Sequence, residues 1–186
     1  MHPGHVGFSV DIRGAAAHSS RPDLGVNAIE DAALVVGAIR TVAEALKQET
    51  VALEGVERPW VPVNIARIAG GSAINIVPDH CRVEVGYRPL PGMDALTVYE
   101  RIREVVAGLV LRGEATTSVL RVTPALCTAA DTPLCSDLAA HASEVALGCA
   151  SFATDGGNLA RAGCEPLIFG PGSIEVAHMA DEYVPV

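Results

Sequence analysis

The sequence predicts an α+β fold in which a four-stranded antiparallel sheet carries two helices on one face. Three observations predict it. Apolar residues alternate with period two in four short stretches. Two longer stretches repeat them at helical spacing. The pieces follow one another as β-α-β-β-α-β, closing near residue 123 of a 186-residue chain.

HVGFSVDIR is the first strand. Val6, Phe8, Val10 and Ile12 share one face, with Gly7, Ser9, Asp11 and Arg13 on the other. GAAAHSSRPDLG, with Pro22 and two glycines, is a loop. A helix then runs from near Asn27 to near Lys47. Its apolar stripe is Val26, Ile29, Ala33, Val36, Ile39, Ala43 and Leu46, and Asn27 with Glu30 forms an N-terminal cap. WVPVNIARIAGG is the second strand. CRVEVGYR is the third, with Cys81, Val83, Val85 and Tyr87 inward and Arg82, Glu84 and Arg88 outward. PLPGMD turns into a second helix, capped by Asp94, with Leu96, Tyr99, Ile102, Val106 and Leu109 as its stripe; TSVLRVTP is the fourth strand. This order is the ferredoxin-like pattern.

Residues 124–186 read differently: a helix at TPLCSDLAAHASEVA, a short strand at ASFAT, a short helix at GNLARAG, a buried strand at EPLIF, and a loop-rich tail. These are pieces of a larger α/β sheet. The division is therefore a lid at 1–123, able to fold alone, and an incomplete α/β portion at 124–186, too small to be stable by itself.

The composition is 49% hydrophobic and 19% charged, enough to bury a core. A formal net charge of -9, without a polybasic run, excludes a nucleic-acid binder. No apolar run is long enough to span a bilayer, and MHPGHVGFSV lacks the features of a signal peptide. Five cysteines with no CxxC pair argue against a disulfide framework or zinc knuckle. They read as reduced, mostly buried thiols of a cytoplasmic protein.

Three stretches carry a resemblance: GAAAHSSRPDLGVNAI, IAGGSAINIVPDHCRVEVGYRPLPG and ATDGGNLARAGCEPLIFGPGSIEVAHMADEY. In this order and spacing the chain resembles the co-catalytic zinc amidohydrolases. That group includes acetylornithine deacetylase, succinyl-diaminopimelate desuccinylase, aminoacylase and glutamate carboxypeptidase. RPLPGM and FGPGSIEVAHMADEY are most similar to acetylornithine deacetylase. The resemblance implies a catalytic α/β domain, an inserted ferredoxin-like lid that forms a homodimer, two zinc ions (cobalt also possible), and hydrolysis of an N-acyl amino acid.

It also implies roles for particular residues. His178 matches the last metal ligand, a role that suits a neutral imidazole. His18, on a small-residue loop, matches the lid histidine that reaches the partner's active site and helps hold the oxyanion. Arg88 and Asn75 match the substrate-binding pair; Arg88 suits a bidentate grip on a carboxylate. From the residues alone, Arg88 reads equally as a surface arginine and Asn75 as a turn residue. Gly170, Gly172 and Ser173 form a loop whose N–H groups suit a carboxylate, or a plain turn. Thr154 and Asp155 match a stretch near the active site, although Asp155 reads better as a helix cap. Asp181 and Glu182 follow the last ligand and read as solvated or as capping a further helix.

The family's first half carries a His-x-Asp ligand motif and an adjacent Glu-Glu pair. Neither occurs here. One imidazole binds zinc weakly and leaves no base to activate water. The resemblance therefore implies the C-terminal part of such an enzyme, cut at both ends relative to the family pattern and inactive alone. Two other readings stay open: a non-catalytic dimerisation or small-ligand module, and a half that docks onto a separately encoded N-terminal half.

Overall fold

The computed structural model describes residues 1–53, 55, 56, 58–141, 148–170, 176 and 179–184. Its elements are β1 (His5–Arg13), α1 (Ala28–Leu46), β2 (Val63–Gly70), β3 (His80–Tyr87), α2 (Thr97–Ala107), β4 (Glu114–Thr123), α3 (Pro133–His141) and α4 (Gly156–Arg161), with a 3-10 turn at Pro22–Leu24. The four strands form one sheet in the order β2-β3-β1-β4. Every neighbouring pair is antiparallel. This is the ferredoxin-like arrangement that the element order predicts.

The alternation decides which face is covered. Val6, Phe8, Val10 and Ile12 of β1 are opposite Tyr87, Val85, Val83 and Cys81 of β3, and all eight are buried. Both helices lie over this face. Val35, Ile39 and Val42 of α1, and Val98, Ile102 and Val106 of α2, complete the core. Phe8 sits between two tyrosines in edge-on contact, 6.3 Å from Tyr87 and 5.4 Å from Tyr99. Each such side chain contributes about 1.5–3 kcal/mol by leaving water. The opposite face carries Asp11, Arg82 and Glu84, where Arg82 bonds Asp11 at 3.3 Å and Glu84 at 3.2 Å.

Helix α1 starts as expected. The Asn27 side chain accepts the N–H groups of Ile29 and Glu30, and its amide reaches Glu30 at 3.3 Å. Its buried stripe differs from the expected one: Ala28, Asp31, Ala32, Val35, Ile39, Val42 and Leu46 face inward, while Ile29 and Ala33 are exposed. The helix is apolar around most of its girth. Its rotation is fixed by Asp31, whose carboxylate accepts the N–H groups of Arg112 at 3.2 Å and Gly113 at 2.7 Å. Asp94 bonds Leu96 N–H at 2.7 Å before α2.

The segment after residue 123 departs further from expectation. Helices form at α3 and α4, but neither 150–154 nor 165–169 is a strand, and Ile168 and Phe169 are exposed rather than buried. A strand needs a ladder partner, and all four strands among the described residues are committed to the lid sheet. The thiols, expected to be mostly buried, are mixed. Cys81 and Cys135 are buried, Cys149 is half-buried, and Cys127 and Cys164 are exposed. Among the described residues no helix is long and apolar enough to cross a membrane.

Candidate functional site

Two loops meet at the end of the sheet where β3 begins. The first, between β1 and α1, carries His18; the second, between β2 and β3, carries Asn75. Reciprocal bonds between Ala15 and Val26 close the first loop at 2.9 and 2.8 Å, and Gly14 N–H bonds Asp79. Val77 N–H reaches Ala17 at 2.8 Å, and Ser19 N–H reaches the Asn75 carbonyl at 3.0 Å. His18 and Ile76 form an isolated bridge. Gly71, at φ +77°, lets the second loop leave β2 in the left-handed region that glycine tolerates.

His18 and Asn75 are both exposed. The His18 Nδ1 accepts the Ser20 backbone N–H at 3.2 Å and lies 2.8 Å from the Ser20 hydroxyl. A backbone N–H can only donate, so in the neutral ring the proton sits on Nε2. The corner thus presents an exposed imidazole with an N–H donor at Nε2, on a loop whose backbone is bonded to that of the loop carrying the exposed Asn75. Next to it lies a recess of about 590 Å³ bordered by Ser19, Asn27, Ile29, Ile74 and Ile76.

Arg88 lies elsewhere. It follows β3, and its backbone N–H bonds Pro62 at 3.2 Å. It borders a cavity of about 210 Å³ with Trp60, Leu90, Cys149 and Ser151. The whole of β3 separates it from the first corner, so eight residues at ~3.3 Å each place the two roughly 25 Å apart. The structure brings His18 and Asn75 together, and holds Arg88 at the opposite end.

Gly172, Ser173 and His178 lie outside the described residues. Gly170, Asp181 and Glu182 are exposed. Asp155 stands just before α4 but makes no cap bond; Thr154 Oγ1 accepts the Gly156 N–H at 3.0 Å instead. Among the described residues, no group of three or more His, Cys, Asp or Glu side chains could hold a metal ion. These residues do not fit a zinc centre, and no hydrolytic step follows from them.

One histidine escaped the sequence reading. His2 is fully buried; its Nδ1 is 2.8 Å from the Pro3 carbonyl, and its Nε2 takes the Thr154 N–H at 3.3 Å with the Thr154 hydroxyl 3.0 Å away. It ties the start of the chain to the segment before α4. Nothing in the motif MHPGH signals this, because its partner lies 152 residues on.

Comparisons with known proteins bear on the family and the fold. The family model of the peptidase dimerisation domain matches residues 1–114. Acetylornithine deacetylase from Myxococcus xanthus is 35% identical over 186 residues, covering 98% of this chain and 48% of that protein. The Klebsiella pneumoniae acetylornithine deacetylase is 31% identical over 187 residues, with the same coverage. The chain therefore spans about half the length of the curated relatives it matches. Among solved structures, a tripeptidase from Staphylococcus aureus aligns with TM-score 0.63 at 22% identity, covering 88% of this chain and 42% of that one. Aminopeptidase PepT from Bacillus cereus aligns with TM-score 0.61 at 22% identity, over 87% of this chain and 42% of that one. These two show the likeness of fold.

Proposed function

The chain belongs to the peptidase dimerisation domain family, and from that membership we propose that it supplies the dimer-forming lid and C-terminal part of a cytoplasmic zinc-dependent hydrolase that deacylates N-acyl amino acids. Residues 1–123 are the lid. Residues 124–186 return to the catalytic domain, where His178 is the final zinc ligand and Gly172 and Ser173 line the substrate. The remaining zinc ligands belong to the catalytic portion that the family places ahead of the lid. The chain alone has no amidase activity, since it holds neither His-x-Asp nor Glu-Glu.

The observation that carries this reading is the pairing of His18 with Asn75 at one end of the sheet, opposite Arg88. A small substrate cannot touch groups roughly 25 Å apart. A two-fold dimer resolves this: His18 and Asn75 reach the partner's active site, and Arg88 grips the substrate carboxylate in its own. The surface that suits the contact is the β2 edge, an open ladder. Ile68 on that strand is 54% exposed and Ile74 fully exposed; Ile29, against Gly71, and Ile76 continue the apolar patch to the His18 corner.

Sedimentation equilibrium tests the assembly. The chain is expected to be a dimer, and Ile68→Asp to be a monomer with an unchanged circular-dichroism spectrum. Leu120→Asp, on the opposite edge strand β4, is expected to leave the dimer intact. The reverse pattern, or a wild-type monomer at all concentrations, refutes the β2 interface. An assay on N-acetyl amino acids with added zinc is expected to stay at the metal-only blank.

A further inference from the structure

On the sheet face away from the helices, one transverse row has no side chains at its centre. Asn64 of β2 is opposite Gly86 of β3, Gly86 is opposite Gly7 of β1, and Gly7 is opposite Arg121 of β4. Gly7 lies at a register shift in its pairing with β4, whereas the pairing of Gly86 runs without one. Neither has a positive φ. A Cβ on Gly7 would come no nearer than 4.0 Å to any neighbour, and one on Gly86 no nearer than 3.5 Å, to His5 Nε2. Glycine weakens a strand interior and marks either a bulge or a place where a ligand approaches the sheet; at Gly86, which has no bulge, the second use remains.

One histidine and two arginines border this bare floor. His5, Arg88 and Arg121 all belong to the same face, because each is one position from the helix-side row in which Tyr87, Val6 and Val122 stand opposite one another; Val6 and Tyr87 are buried there and Val122 is 38% exposed. Burial, and then the charges of Arg88 and Arg121, lower the pKa of His5, so the two guanidinium groups carry the charge. Among the described residues neither forms a salt bridge, although Asp and Glu outnumber Lys and Arg by 22 to 13. Arg121 donates from Nε to the Thr123 hydroxyl at 3.2 Å, leaving its terminal nitrogens available. Arg88 follows β3 and Arg121 lies within β4, the two strands that flank β1; two strand spacings with a two-residue offset along the strands place them roughly 12 Å apart. Side chains of that length can close from both sides on one small dianion.

We propose that Arg121, with Arg88 and the Gly7–Gly86 floor, forms a site that selects acyl amino acids carrying a second carboxylate over those with a neutral or cationic side chain. This rests on Arg88 as the substrate-carboxylate residue. Arg121 grips the second carboxylate, and its charge repels an ammonium at the same place.

The test is an amide-detected NMR titration of the 186-residue chain with N-acetylglutamate, N-acetylalanine and N-acetylornithine. N-acetylglutamate is expected to bind roughly tenfold more tightly than N-acetylalanine, with N-acetylornithine the weakest. Arg121→Gln, an exposed position, is expected to erase the advantage of N-acetylglutamate, and Arg121→Lys to keep part of it. Arg88→Gln is expected to weaken all three. If Arg88→Gln weakens all three while Arg121→Gln leaves the preference intact, the selection proposal falls and the Arg88 reading stands. Equal binding of N-acetylglutamate and N-acetylalanine to the wild type also overturns it. If Arg88→Gln changes nothing, both fall.

Discussion

Ser19 donates its backbone N–H to the carbonyl oxygen of Asn75 at 3.0 Å. Through this bond two loops from different parts of the chain move as one body. Gly25 keeps them close: a Cβ there would stand 2.8 Å from the Ala15 carbonyl, 2.9 Å from Ala17 Cβ and 3.1 Å from Val77 Cγ1. Gly25→Ala is therefore expected to open the corner and cost about 1–3 kcal/mol. Hydrogen exchange reads it directly, because the Ser19 and Val77 amides should lose protection together while β1 and β3 keep theirs.

The distance between the His18 corner and Arg88 has a consequence for the hydrolase proposed above. His18→Ala and Arg88→Gln should each abolish turnover. In a mixture allowed to exchange subunits, the heterodimer has one site with an intact Arg88 and an intact partner His18. About a quarter of wild-type activity should return, since half the dimers are mixed and each has one working site of two. No recovery after verified exchange places both residues in one site.

Asp31 holds the fold together at the join between α2 and β4. It is 3% exposed, and its carboxylate holds the Arg112 and Gly113 amides where α2 passes to β4. Asp31→Ala leaves two backbone donors without a partner and is expected to cost about 1–3 kcal/mol in urea unfolding. Asp31→Asn keeps one acceptor oxygen and should lose less.

Asp31 also marks where the sequence stopped being legible. Strict alternation in β1 and β3 identified the buried face, because period two leaves one choice. Helix α1 has Val, Ile, Leu or Ala on nearly every side, so spacing alone admits neighbouring stripes, and a distant hydrogen bond selects one. The stretches 150–154 and 165–169 are apolar enough for strands, but a strand forms only against a partner. At the site, the small-residue loop marked His18, and the alternation placed Arg88 on the polar face. The closeness of Asn75 to His18 depends on loop pairing. The roles of Gly7, Gly86 and Arg121 depend on register across three strands. Neither is written in local pattern.

His5 gives a pH signature. Its pKa in the folded protein lies below the ordinary histidine value of 6.5, from burial first and then from Arg88 and Arg121. The unfolded chain therefore takes up the proton more readily. The His5 contribution to stability is present above about pH 6.5 and is lost as pH falls through the lower folded value. Unfolding midpoints between pH 7 and 5 should decline less steeply in His5→Gln than in the wild type. Parallel declines count against a buried neutral imidazole.

Tyr87 works in the opposite direction. Its hydroxyl donates to the Ala95 carbonyl at 2.6 Å and accepts the Tyr99 N–H at 3.2 Å. It thus serves a donor in the first turn of α2, where the assigned cap, Leu96, has no side-chain bond. Burial is the main cause that pushes its pKa up to about 12. In the unfolded chain the phenol ionises near its ordinary value of about 10. The stabilising contribution is thus whole below pH 10 and is lost as pH rises from 10 towards 12, because only the unfolded state releases the proton there. Tyr87→Phe strands the Tyr99 N–H and should cost about 1–3 kcal/mol at neutral pH. It should also flatten the fall in stability above pH 10. In an ultraviolet titration the wild type should show one phenolate appearing well above pH 10 that the variant lacks; if that transition stays in Tyr87→Phe, the late-ionising phenol is another residue.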